Sequence, residues 1–303
     1  LLHAGLLPQR KRNALRVSIP DPQPPERCLN PLSQTSSCMD SRLGCPSERG
    51  AFLVYHQKAM RKANSTRQLE NRTALITGAS RGIGLAIAEA LAQQGCNLIL
   101  TSRDAKALSK SVRPLERHRV TISTQTCDVR DPHAVDALFI HIRRTTKQLD
   151  IVINNAGVGQ PSLTVENLLY PIWKEVLETN LDGTFLVTQA SLGLMKRGAT
   201  IVNNLSIAAT RVFPGTAAYN ASKHGALGFT NTLREELRGK GIRVIALLPG
   251  ATDTAIWNIL WPEAPRKKMM SAETIATALL NALLLPENST VEELCIMPTA
   301  GAL

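Results

Sequence analysis

Aromatic residues make up only 4% of the 303-residue chain, and no apolar run approaches the roughly 20 residues that span a bilayer. ALLNALLLP, ending at Pro286, is far too short, so no membrane segment is expected. The six cysteines form no CxxC pair and adjoin no histidine cluster, which argues against a metal site and against a disulfide framework. Reduced thiols in a cytoplasmic protein are the default expectation. Acids are fewer than bases, 24 against 35, giving a net charge of +11. That excess would suit nucleic acid, yet no dense Lys/Arg block is interleaved with aromatics. The largest cluster, Arg266–Lys268, reads as a solvated loop. No nucleic-acid partner is expected, and the positive balance is compatible with a phosphorylated ligand.

Residues 1–59 hold 7 of the 17 prolines and no periodic apolar pattern. Such a segment cannot bury enough surface to offset its ordering entropy, so disorder is expected there. Its opening, with Arg and Lys but no acid, faintly resembles an organelle transit peptide. The preferred reading takes Met60 as the natural start and residues 60–303 as one nucleotide-binding domain.

From residue 72 the pattern is regular. Apolar strands are expected at Thr73–Thr77, Asn97–Thr101, Val120–Thr126, around Ile151, at Ala199–Ser206, Gly241–Gly250 and Val291–Pro298. Helices are expected between them: one closed by Gly95, one after Asp104 with an end blurred by Pro114, and one capped by Asp131 with Pro132 first. Others are expected over Glu166–Ser191 with interruptions, Thr216–Arg238 and Ala272–Leu285. Alternating strands and helices, with nearly unbroken apolar strands, predict an α/β fold with a parallel sheet covered on both faces.

The first strand runs into TGASRGIG. Gly78 suits the tight turn, and Gly82 and Gly84 let backbone approach a diphosphate at the start of a helix, with Ser80 and Ile83 in the same turn. A site for NAD usually places an acid at the end of the second strand. Here that position is Ser102, followed by Arg103, and Arg81 lies in the glycine turn. Two guanidiniums suit a 2′-phosphate, so NADP is preferred over NAD. Asp104, if turned inward, would serve a free ribose instead.

Tyr219 stands four residues before Lys223 in YNASK, on one face of a helix. Alone, the pair is as readily a half-buried phenol and a solvated ammonium. Together with NNAG (Asn154–Gly157), TNLDGTF around Asn180, Ser206 thirteen residues before Tyr219, and Pro249-Gly250, the chain resembles the single-domain short-chain dehydrogenase/reductases from Arg72 to Leu303. The resemblance implies a Rossmann-type three-layer sandwich with seven parallel strands in the order 3-2-1-4-5-6-7. It also implies a homodimer or homotetramer.

By resemblance, Tyr219 is the acid/base, Lys223 binds the nicotinamide ribose and lowers the phenol's pKa, Ser206 holds the substrate oxygen, and Asn180 anchors a water of the proton relay. Asp128 and Val129 contact adenine. Asn154 and Gly157 belong to the turn that supports the central sheet and touches the adenosine side, with Asn155, Ala156 and Gly157 as cofactor contacts. Pro249, Gly250 and Thr252 border the nicotinamide. Bringing a phenol of pKa about 10 near neutrality takes about 4 kcal/mol of differential stabilisation, which requires a cation close by in a partly dry site.

Residues 251–271 are expected to set substrate choice, with Trp257, Ile259, Leu260 and Trp261 lining an apolar lid and Pro262 and Pro265 breaking the helix there. The expected substrate is a small ketone, aldehyde or alcohol. A 3-oxoacyl-[acyl-carrier-protein] reductase is the alternative, with Lys196, Arg197 and Arg234 meeting an acidic carrier or simply solvated. The chain ends without the DGG common in that reductase. A non-catalytic NADP-binding sensor or scaffold is the alternative of another class.

Overall fold

Short apolar strands, each followed by an amphipathic helix, can bury both faces only by building one sheet between two helical layers. The computed structural model describes residues 67–302, and within them that arrangement is what forms. The expected N-terminal extension and Met60 lie outside the described residues. Strands β1 (Thr73–Thr77), β2 (Asn97–Ser102), β3 (Ile122–Thr126), β4 (Ile151–Asn154), β5 (Thr200–Asn204), β6 (Arg243–Pro249) and β7 (Glu293–Ile296) form one parallel sheet in the order β3-β2-β1-β4-β5-β6-β7.

Helices connect them: α1 (Gly82–Gln93), α2 (Ala105–Val112), α3 (Pro132–Thr145), α4 (Tyr170–Leu177), α5 (Gly183–Ser191), α6 (Ala217–Arg238), the short α7 (Trp257–Leu260) and α8 (Ala272–Leu283). Local chemistry sets several ends. Asp131 caps α3 by accepting from the His133 N–H, with Pro132 at the first position. Asp104 caps α2 through the Ala107 N–H at 2.9 Å. Pro114 falls in a 3₁₀ turn, Arg113–His118, that continues α2. A π-turn, Glu178–Asp182, joins α4 to α5.

Alternation along the strands divides the core. Ile76, Leu98, Leu100 and Ile245 face α1 and α8 with Ile87, Leu91, Ile275 and Leu279. Leu75, Ile99, Val152 and Val244 face α3, α5 and α6 with Phe139, Ile142, Val187 and Leu233. Each such side chain contributes about 1.5–3 kcal/mol on burial. Among the described residues no helix is long and apolar enough to cross a membrane.

Strand β1 lies between β2 and β4, where the chain order reverses. A crevice opens at the carboxyl ends of the strands at such a point.

Candidate active site

A cleft of about 700 Å³ follows that edge. Its lining comes from the residues after each strand in turn: Gly78 after β1, Arg103 after β2, Val129 after β3, Asn155 after β4, Ser206 after β5, Gly250 after β6 and Met297 after β7.

The glycine turn is tight for a physical reason. Gly78 has φ +64°, and a Cβ there would lie 2.9 Å from the Ala156 Cα. A Cβ on Gly84 would lie 2.3 Å from Asn155 Nδ2 and 2.6 Å from the Gly78 carbonyl. Gly84 therefore lets α1 close onto the β4 turn and does not itself line the cleft. Ser80, Arg81, Gly82 and Ile83 do. Helix α1 starts without a side-chain cap and without an acid in its first turn. Its leading N–H groups, with their partial positive charge, lie beside the cleft.

Asparagines brace the opposite wall. Asn155 donates to the Thr77 and Gly78 carbonyls and accepts from Asn204 Nδ2 at 2.8 Å. Thr77 Oγ1 accepts from the N–H groups of Asn155 and Ala156. Asn154 donates to Thr188 Oγ1 and Asn203 Oδ1, tying β4 to α5 and β5. Thr101 Oγ1 and Asn204 Oδ1, both on residues lining the cleft, are buried with no hydrogen-bond partner among the described residues.

At the end of β2, Ser102 and Arg103 line the cleft. The Ser102 hydroxyl donates to the Asp104 carbonyl. The Asp104 carboxylate is engaged with α2 as its cap. Arg103 Nη1 lies 3.7 Å from Glu175. Val129 lines the cleft, but Asp128 is turned to Arg130, whose guanidinium and N–H hold its carboxyl below the usual range.

Tyr219 and Lys223 lie one turn apart on α6, with the ammonium 5.6 Å from the ring centroid, and both line the cleft with Ser206. Lys223 is buried and donates to the Asn204 carbonyl at 3.1 Å. Burial pushes its pKa down to about 8. Burial pushes the Tyr219 phenol up, and the nearby Ser206 hydroxyl pulls it back. The acidifying effect expected of Lys223 is not among these causes.

Asn180, buried in the π-turn, does not line the cleft. Its Oδ1 accepts from the Val158 N–H at 2.9 Å, and its amide donates to the Val158 carbonyl and Ser222 Oγ. The side chain braces the loop after β4.

Pro249, Gly250 and Thr252 line the cleft. Thr252 donates to the Gly250 carbonyl, and its own carbonyl accepts from the Trp257 indole. Trp257, Ile259, Leu260 and Trp261 form the far wall, with Leu260 resting on Gly159. Two basic groups differ from expectation. Arg266, expected in a solvated loop, binds Asp253, the Thr254 carbonyl and Asn258. Arg234 is buried on the Val244 and Glu292 carbonyls, so it offers no surface to a carrier protein.

Sequence reasoning missed Phe213, Pro214 and Ser162 on the cleft. It also missed Gln160, buried behind it. A Pro-Gly pair at 214–215, after a strand end, was the one available signal for a wall there.

A family model described as short chain dehydrogenase matches residues 72–264. Sepiapterin reductase of Chlorobaculum tepidum is 35% identical over 240 residues, 75% of this chain and 96% of that protein. A 3beta-hydroxysteroid dehydrogenase of Mediterraneibacter gnavus is 35% identical over 190 residues, 62% of this chain and 69% of that protein. Among solved structures, an alcohol dehydrogenase from the archaeon Thermococcus sibiricus, complexed with 5-hydroxy-NADP, superposes with a TM-score of 0.71 at 31% identity. It covers 75% of this chain and 97% of that one.

Proposed function

The chain belongs to the short-chain dehydrogenase family and is an oxidoreductase of that kind; from this we propose that it interconverts a ketone or aldehyde and the corresponding alcohol, with NADP(H) as cofactor and Tyr219 as acid/base. The observation that carries the reading is the joining of Tyr219, Lys223 and Ser206 to the glycine turn by one cleft.

The residues present fit a dinucleotide. The uncapped start of α1 and the unpartnered Thr101 hydroxyl offer the contacts a diphosphate-bearing ligand needs. Ser80, Gly82 and Ile83 would hold the diphosphate, Arg81, Ser102 and Arg103 the adenosine 2′-phosphate, Val129 the adenine, and Lys223 the nicotinamide ribose. Pro249, Gly250 and Thr252 would border the nicotinamide. The engagement of Asp104 with α2, and the NADP analogue in the Thermococcus sibiricus structure, support NADP over NAD. When bound, NADPH supplies the hydride.

The chain's own groups handle the oxygen. Ser206 orients it by hydrogen bonding. Tyr219 gives it a proton in reduction and takes the proton back in oxidation. Lys223, as an ammonium, favours the phenolate. Asn180 keeps the loop beneath the site in place.

Among the described residues, the charged ones lining the cleft other than Lys223 are Arg81, Arg103 and Asp104, all from the β1 and β2 ends. The other end is walled by Phe213, Pro214, Ile256, Trp257, Leu260 and Trp261. This supports an uncharged, moderately apolar carbonyl substrate. The burial of Arg234 weakens the acyl-carrier alternative, which an acetoacetyl thioester assay would separate.

Tyr219→Phe should lower turnover of a ketone and aldehyde panel by about 10²–10⁴-fold while NADPH affinity, read by fluorescence titration, stays nearly constant. Full activity in that variant would remove Tyr219 from the chemistry. Tight NADPH binding by the unaltered protein with no turnover of any carbonyl would favour a sensor or scaffold.

A further inference from the structure

Helix α6 begins without a cap of its own. Thr216 holds the N-cap position, but its one hydroxyl proton is directed to the Phe213 carbonyl at 2.8 Å, with Asn220 Oδ1 also within 3.2 Å, and the hydroxyl accepts nothing from the helix. The Asn220 N–H reaches the Thr216 carbonyl at 2.8 Å. Tyr219, one residue earlier, lies ahead of the regular ladder, where N–H groups need an outside acceptor. That acceptor is Gln160 Oε1, 3.0 Å away and 59 residues back in the chain.

Gln160 is completely buried. Its Nε2 donates to the Gly215 carbonyl at 3.1 Å. Reversing the amide would set donor against donor at Tyr219 and acceptor against acceptor at Gly215, so a single orientation works. The side chain is thus a strut between the loop after β4 and the first turn of α6. The other end of that loop is fixed by Asn180 on Val158. Lys223, one turn further along, has its own anchor on Asn204 and does not depend on the strut.

We infer that Gln160 is a positioning residue for Tyr219: it replaces the missing cap at the backbone of the acid/base residue and so fixes where the phenol meets the substrate oxygen, without serving cofactor binding. The inference rests on the proposed role of Tyr219. Loss of the strut frees the first turn, and a displacement of about 1 Å at the reacting group can cost about 100-fold in rate.

Gln160→Met retains approximate volume and removes both bonds. It should lower kcat for a ketone by about 10- to 100-fold while leaving the KM for NADPH nearly unchanged. Gln160→Glu is the conservative partner. As a neutral acid it has one donor and one acceptor, like the amide, and burial favours that neutral form. Its kcat relative to the unaltered protein should be near one at acid pH and fall as the carboxyl ionises. A merely structural residue would lower the melting temperature of both variants and leave the kcat of the folded enzyme unchanged.

Unaltered kcat in Gln160→Met, beside an active parent, overturns this inference alone. If Gln160→Met does not fold, a kcat ratio for Gln160→Glu that stays near one at pH values where the new carboxyl is ionised, as infrared spectra of the carboxyl report, overturns it equally. An inactive parent that binds NADPH overturns the proposed function and this inference with it.

Discussion

Lys223 is a cation kept where water is scarce, and its titration should be visible in folding. Its pKa in the folded protein, about 8, lies below the ordinary 10.5 because of burial. Between those values the unfolded chain holds more protons than the folded one, so this site's contribution to stability rises as pH increases from 8 towards 10.5. Below pH 8 the full penalty applies, on the order of 3 kcal/mol. Lys223→Met should therefore raise the melting temperature of the cofactor-free protein at pH 7. The advantage should shrink towards pH 10, and carbonyl turnover should collapse. A variant that melts lower at pH 7 would mean that the bond to the Asn204 carbonyl outweighs the burial cost. Arg103 gives a second test at this scale. Charge-assisted bonds contribute about 1.5–3 kcal/mol, so Arg103→Ala should raise the KM for NADPH about tenfold or more and that for NADH far less. Equal effects would count against a 2′-phosphate contact. The Tyr219–Lys223 pair was legible because helical spacing is a local rule. Gln160 was not, because its partner lies 59 residues away and an isolated glutamine forms no pattern.

Among elements, the glycine turn shows how far a local rule reaches. Its spacing announced a strand, a turn and a helix, but not which glycine faces a ligand and which faces protein. Gly84 faces protein: with Asn155 so close, Gly84→Ala should cost about 1–3 kcal/mol or more and weaken NADPH binding, as thermal melts and fluorescence titration would report. Gly228 is the control. It lies exposed within α6 with nothing within 4 Å of an added Cβ, so Gly228→Ala should stabilise by about 1 kcal/mol. Equal losses in the two would contradict the close packing at Gly84. The π-turn at Glu178–Asp182 escaped sequence reading because one extra residue in a helical turn barely disturbs apolar periodicity. Helix α7, four residues long, is shorter than any window in which a period can be counted. Trp257 and its neighbour Trp261 were legible as a wall, and Pro262 and Pro265 as the point by which a helix must end.

At the scale of the molecule, the alternation of strands and helices made a covered parallel sheet readable from hydropathy alone. The strand order was not contained in that periodicity and came from the ordered set of motifs, which the sheet matches. Long-range closure explains the rest of what was missed: Phe213 and Ser162 meet the cleft only after separate strands are aligned. The same alignment separates two tasks along the chain. The nucleotide-facing wall is continuous with the sheet, whereas much of the opposite wall belongs to two excursions, residues 207–216 and 251–271, lying outside its strands. Outside Thr252 and Thr254, which stand against the nucleotide half, changes drifting into those excursions can alter which molecule is accepted while leaving that half undisturbed. Anyone redesigning this protein for a new reactant has natural seams at residues 207 and 251, and little reason to cut elsewhere.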